Sequence, residues 1–428
     1  RWETDQSGMN QPSSADRHEQ PLKPDTFVTI RTVGITLTAL SLGRTFINPV
    51  GAQRNSAPSS FGVLSTYPST VCGLATFSAA LSNGLAANGA DVSVVRVADG
   101  TPSEDPRVVG ELVNGSAASI AASADLLSEC DVAVIQHEYG IYGGTDGDEV
   151  LDVMRGLRVP SIVVAHTVPL NPTPNQRAVL EAVAGLADQV VVMSDAANAR
   201  LRRGFDVDRH KVSTIAHGAT IPQGAQSKRG GRPTLLTWGL LGPGKGIERV
   251  IESMGSLHEL RGRPQYVVAG RTHPKVLAAE GEAYREARTE QARHMGLAGS
   301  VSFDPHYRNV SSLAVLIQSC AVVVLPYDST EQITSGVLVD AVASGRPVVA
   351  TAFPHAIELL GTGAGIVVDH DDPDAMTFAL RRVLSDPRLA GSMAAEGRRL
   401  APTLAWPSIA KSYLSLAQRL VFERQALV

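Results

Sequence analysis

Short apolar runs alternate along the chain with Ala- and Leu-rich stretches of helical periodicity. In the first half, the predicted strands are Phe61–Ser65, Val92–Val97, Val132–Gln136, Ser161–Ala165, Gln189–Met193 and Val212–Ile215. In the second half, they are Thr234–Trp238, Tyr266–Ala269, Val301–Phe303, Ala321–Leu325, Pro347–Ala350 and Gly365–Val368. The predicted helices between them include Ala75–Ala87, Gln176–Leu186, Gly246–Leu257 and Gly336–Ser344. Continuously apolar strands that alternate with helices are typical of parallel sheets covered on both faces. The pattern therefore predicts an α/β protein with two Rossmann-like, doubly wound domains.

Changes in composition suggest where these domains begin and end. Residues 1–59 are rich in polar residues and Pro without periodicity, so we interpret them as a disordered or non-native leader, with Met9 as a candidate start codon. The first domain is predicted at residues 60–222, a linker at 223–233, and the second domain at 234–404. A last helix at 405–428 carries four apolar residues on one face and is expected to cross back to the first domain: Ile409, Tyr413, Leu416 and Leu420.

The net charge, the cysteine content and the length of the apolar runs argue against several classes of partner and site. The formal net charge of -4 gives no positive field that would hold nucleic acid, so none is expected as a partner. Three cysteines without CxxC spacing argue against a zinc site and for a reducing compartment, which predicts a cytoplasmic protein. The apolar run at Val33–Leu42 is too short to span a bilayer, so no integral membrane segment is predicted.

Glycine-rich loops follow the first strand of each predicted domain. Gly239, Gly244 and Lys245 lie between a strand and a helix, where backbone amides and one ammonium form a cradle for a diphosphate. It is not a Walker loop because no Ser or Thr follows the lysine, and a lysine in a flexible surface turn is the alternative. Gly73 precedes a helix whose free amides suit a phosphate or carboxylate, or it marks a tight turn.

Two further loops of the second domain carry polar residues at strand ends, where open parallel sheets bind ligands. Arg271 and Thr272 follow one strand and are candidates to contact a nucleotide or its phosphates. A longer block runs from Leu325 to Thr351 and reads as strand, polar loop, helix, glycine turn and strand. Its candidate residues are Glu331, Gln332, Ser335, Gly336, Val337 and Asp340. The helix N-terminus at Ser335 and Gly336 favours a phosphate.

This block resembles the donor site of the retaining glycosyltransferases of family 4 (glycosyltransferase group 1). Those enzymes have the GT-B fold, in which two Rossmann-like domains face each other across a cleft. The resemblance covers roughly residues 61–422 and is tightest from Pro326 to Thr351. Three positions depart from the family pattern: Gln332 and Asp340 stand where glutamates are expected, and Leu240 stands where an arginine is expected. Glu331, beside Gln332, serves as the first glutamate if the loop is shifted by one residue.

Histidines end two strands of the first domain. His137, with Glu138 and Tyr139, follows one strand, and His166 follows another. A lone histidine is more often a structural hydrogen-bonding group, which is the alternative for each. The resemblance implies that His166 contacts the donor sugar and that the His137 loop forms part of the acceptor pocket. His217 is expected to line the cleft at the connection between the domains.

The resemblance implies a first domain for the acceptor and a second domain for a nucleotide-sugar donor. The expected activity is transfer of a hexose, such as mannose, from a GDP- or UDP-hexose with retention of configuration, without metal or bound cofactor. Lys245 and the amides near Gly336 would stabilise the leaving diphosphate, Gln332 or Glu331 would grip the sugar, and Asp340 the ribose. The acceptor is a glycan, a lipid or a small molecule, and peripheral membrane contact stays open. The alternatives are an inactive nucleotide-sugar-binding protein, or an epimerase or phosphorylase on the same fold.

Overall fold

The computed structural model describes residues 60–221, 231–306 and 308–426. The predicted leader at residues 1–59, with Met9, and most of the predicted linker at 223–233 lie outside the described residues. The described residues belong to one compact unit. Within it, "first half" denotes the sheet and helices before residue 222, and "second half" denotes those from residue 231 to residue 404.

The first half is built on a sheet of seven parallel strands. The strands are β1 (Ser60–Ser65), β2 (Asp91–Val97), β3 (Val108–Leu112), β4 (Val132–His137), β5 (Ser161–Ala165), β6 (Gln189–Val192) and β7 (Val212–Thr214). The helices are α1 (Gly73–Ala87), α2 (Ala117–Leu127), α3 (Val150–Arg155), α4 (Pro174–Leu186) and α5 (Asp195–Gly204). The strand order β3-β2-β1-β4-β5-β6-β7 reverses direction between β1 and β4. A crevice for ligands is expected at that switch point.

The second half repeats this design with six parallel strands. They are β8 (Thr234–Trp238), β9 (Gln265–Ala269), β10 (Val301–Asp304), β11 (Val322–Leu325), β12 (Val348–Thr351) and β13 (Gly365–Val368). The helices are α6 (Ile247–Leu257), α7 (Pro274–Glu280), α8 (Ala283–His294), α9 (Val310–Ser319), α10 (Gly336–Ala343), α11 (Pro354–Leu360), α12 (Ala375–Ser385) and α13 (Pro387–Leu404). The order β10-β9-β8-β11-β12-β13 places the switch point between β8 and β11. The predicted α/β class with two doubly wound sheets is confirmed.

The strands form where apolar runs are buried on both faces. Every residue of β4 and of β5 is buried, as expected for central strands of a covered parallel sheet. All twelve predicted strands are present, with ends that differ from the prediction by one residue at most. The sequence did not predict β3, a strand at the edge of its sheet whose first four residues are half-buried or exposed. Its Gly110 and Glu111 interrupt the apolar run by which the other strands are recognised.

The last helix, α14 (Trp406–Gln425), packs on the first half of the molecule. The four apolar residues predicted on one face are all buried and share a hydrophobic cluster with β1 and α1: Ile409, Tyr413, Leu416 and Leu420. Trp406, at the helix start, packs edge-on against the Phe77 ring of α1. No helix in the described part of the chain is both long and apolar enough to cross a bilayer.

Candidate functional site

The loops that follow β8 and β11 lie against each other at the switch point of the second sheet. Gly246 has a φ of 62°, and a side chain at this position would collide with the Pro326 carbonyl oxygen. The Asp328 amide donates to the Gly244 carbonyl at 3.0 Å. Because only glycine permits both this backbone conformation and this close approach, the glycine-rich sequence fixes where the lysine of the loop lies.

That lysine is Lys245, whose ammonium nitrogen lies 4.6 Å from the centroid of the Tyr327 ring. Burial lowers the pKa of Lys245 because the apolar surroundings disfavour its charged form. The Tyr327 hydroxyl in turn interacts with the Ser335 side chain at the start of α10. The partly desolvated ammonium therefore lies close to the N-terminus of a helix, and both carry positive potential.

The N-terminus of α10 is held in place by its own cap and by α11. The Ser335 hydroxyl accepts a hydrogen bond from the Leu338 amide at 3.2 Å, and the Ser335 amide donates to Nδ1 of His355 at 2.9 Å. The amides of Gly336 and Val337 belong to the first turn, where a helix has no internal acceptors for them. They are the groups of this helix best placed to bind an anion.

The sequence also predicts ligand contacts at Gly239, Arg271 and Thr272, and the surroundings of these three residues differ from one another. A Cβ built on Gly239 would lie 4.0 Å from Cγ2 of Val337, so the loop after β8 borders the first turn of α10. The Arg271 side chain is exposed, whereas the Thr272 hydroxyl is already engaged with Glu282. Arg271 and Thr272 stay predictions as ligand contacts.

Asp340 lies one turn into α10, next to the segment that connects the two halves. Its Oδ1 accepts a hydrogen bond from the Thr220 amide at 3.3 Å. Burial raises the pKa of Asp340 to about 7 because the ionised carboxylate is poorly solvated there. The carboxyl group therefore holds part of the connection, and its predicted contact with a ribose stays a prediction.

Three aromatic groups of the first half form a layer against α10. The Phe77 ring lies edge-on to His166 and to His217, with ring centroids 4.8 Å and 5.0 Å apart. His166 Nε2 is 2.7 Å from Oε1 of Gln136, at the end of β4. A Cβ built on Gly336 would lie 2.8 Å from His217 Nε2. Phe77 and His217 thus connect His166 to the start of α10.

These histidines are neutral near pH 7. Burial, together with the neighbouring His217 and His137, lowers the pKa of His166 to about 3. Burial likewise lowers the pKa of His217 to about 4 and that of His355 to about 4. Each ring therefore acts as a hydrogen-bonding group and not as a cation at neutral pH.

The predicted acceptor residues lie beside His166. His137 is 1% exposed, and neither of its ring nitrogens has a hydrogen-bond partner among the described residues. Glu138 accepts a hydrogen bond from the Thr167 hydroxyl at 2.6 Å, and burial raises the pKa of its carboxyl group. The Tyr139 hydroxyl donates to the Gln176 carbonyl at 3.1 Å. Buried polar groups without hydrogen-bond partners are rare in folded proteins. The two ring nitrogens of His137 are therefore groups in this loop to which a ligand can hydrogen-bond.

Gly73 begins α1 on the same side of the first sheet as His166. A Cβ built on Gly73 would meet no atom within 4 Å, so the approach to this helix N-terminus is open. The Cys72 sulfur caps the helix by accepting from the Ala75 amide at 3.3 Å. The open approach is compatible with the predicted anion contact at Gly73.

Sequence reasoning missed three residues of this site. Tyr327 supports Lys245, Phe77 separates two histidines, and His355 orients the start of α10. His355 lies four residues after the end of β12, at the start of α11, so the rule that ligand sites follow the carboxyl ends of strands would have found it. Phe77 lies inside a helix, where apolar periodicity predicts only a core residue.

Two family models match the chain. The model described as "Glycosyl transferases group 1" matches residues 223–400, and the model described as "Glycosyltransferase Family 4" matches residues 71–221. The D-inositol 3-phosphate glycosyltransferase of Corynebacterium urealyticum is 27% identical over 248 residues, which are 55% of this chain and 57% of that protein. The protein of the same name from Nocardioides sp. is 27% identical over 257 residues, 56% and 55% of the two chains. The chain thus matches little more than half the length of these relatives.

Solved structures resemble the fold over most of the chain. A glycosyltransferase from Rickettsia africae superposes with a TM-score of 0.65 and 14% identity, covering 85% of this chain and 99% of that one. Anabaena HepE, solved in complex with UDP and glucose, superposes with a TM-score of 0.66 and 16% identity, covering 84% and 100%. These similarities confirm the predicted GT-B fold.

Proposed function

Since the chain belongs to the group 1 glycosyltransferases of family 4, we propose that it transfers a hexose from a nucleoside-diphosphate sugar to an acceptor with retention of configuration. The donor is a GDP- or UDP-hexose, with mannose and glucose as the first sugars to test. The acceptor is a glycan, a lipid or a small molecule. The names of the curated relatives add a phosphorylated inositol to the candidate acceptors.

The observation that carries this proposal is the position of Lys245 beside the start of α10. Its ammonium lies over the Tyr327 ring, and the Tyr327 hydroxyl interacts with the cap residue Ser335. A leaving diphosphate gains negative charge in the transition state, and fixed positive groups in a water-poor site stabilise it strongly. Lys245 and the amides of Gly336 and Val337 supply such groups without requiring a metal ion.

The remaining residues define where the sugar and the acceptor would lie. His166 is neutral and fixed by Gln136, so it offers one hydrogen bond to a sugar hydroxyl next to the diphosphate site. Gln332 and Glu331 belong to the loop that enters α10 and are proposed to bind the other hydroxyls. His137, Glu138 and Tyr139 are proposed to line the acceptor pocket.

The proposed reaction breaks the bond between the sugar C1 and the diphosphate oxygen and forms a bond from C1 to the acceptor oxygen on the same face. The acceptor proton passes to the departing diphosphate oxygen. The chain's contribution is orientation and electrostatic stabilisation. A carboxylate nucleophile is not needed in this scheme.

The test is release of nucleoside diphosphate when the full chain is incubated with a panel of UDP- and GDP-hexoses. We expect release from one donor, about 100-fold slower in Lys245→Ala. Lys411→Ala, an exposed lysine of α14, is the matched control and should not differ from wild type. Nucleotide binding without turnover, even with glycan, lipid and inositol phosphate acceptors present, would favour the inactive binding protein. Absence of nucleotide binding would refute the proposal.

A further inference from the structure

In the loop that enters α10, the four carbonyl groups of residues 331–334 are all hydrogen-bonded. We call residues 331–335 the sugar loop. Its bonds are as follows: Glu331 O accepts from Arg200 at 2.9 Å, Gln332 O from the His355 amide at 3.3 Å, Ile333 O from the Ser194 hydroxyl at 2.6 Å, and Thr334 O from Nε2 of Gln332 at 3.0 Å. The loop has no regular secondary structure, so these bonds determine its conformation.

Two of these four bonds come from the other half of the molecule. Ser194 caps α5, and Arg200 lies in the same helix, which belongs to the first half. Ile333 is 5% exposed and packs into the hydrophobic cluster of the first half, which contains Val168 and Leu201. The conformation of the sugar loop in the second half therefore depends on contact with α5.

Helix α11 fixes α5 and the sugar loop at the same time. The Glu358 carboxylate accepts hydrogen bonds from the Asp195 and Ala196 amides, each at 3.0 Å, at the N-terminus of α5. A carboxylate is favourable there because the amides and the helix dipole carry positive potential. Three residues earlier, His355 bonds the Gln332 carbonyl and the Ser335 amide.

We infer that α5 orders the sugar loop only while the two halves are closed, with Ser194, Arg200 and Glu358 as positioning residues. When the halves separate, the carbonyls of Glu331 and Ile333 lose their protein donors and the Ile333 side chain enters water. Lys245 and Tyr327 contact each other within the second half, so the ammonium keeps its position when the halves separate. Closure therefore couples more strongly to binding of the donor sugar than to binding of the diphosphate.

The inference rests on the proposed function where it assigns this loop to the donor sugar. Its structural part is tested without any ligand, by hydrogen exchange on the full chain. We expect the amides of residues 331–336 to exchange about tenfold faster in Glu358→Gln and in Ser194→Ala, because each substitution removes one or two cross-half hydrogen bonds. Glu252→Gln, at an exposed glutamate of α6, is the matched control. Unchanged exchange in both folded variants would overturn the inference.

Calorimetry on the same variants separates positioning from general damage to the fold. We expect the Kd for UDP or GDP to stay within about twofold of wild type, while the Kd for the nucleotide sugar that wild type hydrolyses rises about tenfold. A variant that was merely less stable would lose both affinities together, and that result would overturn the inference. If wild type binds no nucleotide at all, the proposed function fails, whereas the exchange measurement still decides whether α5 orders the loop.

Discussion

The imidazole of His217 lies against the Cα of Gly336, although the two residues are 119 positions apart. A Cβ built on Gly336 would be 2.8 Å from Nε2 and 2.9 Å from Cε1 of that ring. The contact joins the end of the first half to the first residue of α10. The helix N-terminus proposed to hold the diphosphate thus depends on the position of a histidine from another part of the chain.

Gly336→Ala tests this contact. The added methyl group must displace either His217 or the start of α10, so we expect donor hydrolysis to fall about tenfold or more and the chain to lose about 1–3 kcal/mol of stability. Gly391→Ala, in the second turn of α13, is the control because its methyl group would meet no atom within 4 Å. Initial rates and thermal unfolding give both quantities. Full activity in Gly336→Ala would contradict the proposed role of this helix start.

Because several histidines are buried in their neutral form, we expect the free energy of unfolding to decrease as the pH falls. Burial, with the neighbouring His217, lowers the pKa of His355 to about 4 in the folded chain, whereas an unfolded histidine titrates near 6.5. The unfolded state binds more protons between these values, so the stabilisation is present above about pH 6.5 and is lost as the pH falls towards 4. One such shift amounts to about 3 kcal/mol.

The variant that tests this dependence is His355→Gln. We expect its free energy of unfolding to fall less steeply than that of wild type between pH 6.5 and 4.5, as measured by urea titration at several pH values. His210→Gln, which removes an exposed histidine, is the matched control. The raised pKa of Asp340 has the opposite effect, because it makes the free energy of unfolding fall as the pH rises. This effect is the same in wild type and in both variants, so it cancels in the comparison. Equal slopes in wild type and His355→Gln would refute the assignment.

Two buried tyrosines are expected to respond in opposite directions to loss of the hydroxyl. The Tyr413 hydroxyl is buried and has no hydrogen-bond partner in the described part of the chain, whereas the Tyr142 hydroxyl donates to the Gln136 carbonyl at 2.7 Å. We expect Tyr413→Phe to raise the free energy of unfolding by about 1 kcal/mol and Tyr142→Phe to lower it by about 1 kcal/mol. Chemical denaturation measures both. Destabilisation by Tyr413→Phe would show that the hydroxyl has a partner.

Gln136 is expected to act on turnover through His166. In Gln136→Leu the imidazole loses the group that fixes its orientation, so we expect kcat to fall about tenfold while the Kd for nucleoside diphosphate is unchanged. Gln189→Leu is the matched control, since Gln189 is also buried but donates to Ser213 in a neighbouring strand, away from the site. That variant should lose stability without a change in kcat. Similar kinetics for the two variants would contradict the role given to Gln136.

The sequence is sufficient to predict the elements and the loops at the strand ends, but not the contacts between the halves. The runs that became β5 and β11 are wholly buried and were recognised by their apolar character. Lys245 can be predicted because the glycines around it mark a tight loop between a strand and a helix. In contrast, Glu358 and Asp195 are 163 residues apart, and no local pattern marks a surface glutamate as the cap of a distant helix. Contacts of this kind depend on the position of the two sheets relative to each other, which no local sequence pattern reveals.

A crystal structure of the full chain with its nucleoside diphosphate tests the central claim most directly. The quantity to measure is the distance from the β-phosphate oxygens to Lys245 Nζ and to the amides of Gly336 and Val337. The account predicts hydrogen-bond distances of about 3 Å for the ammonium and for at least one of the amides. A diphosphate bound elsewhere, or one that contacts neither Lys245 nor the start of α10, would contradict it.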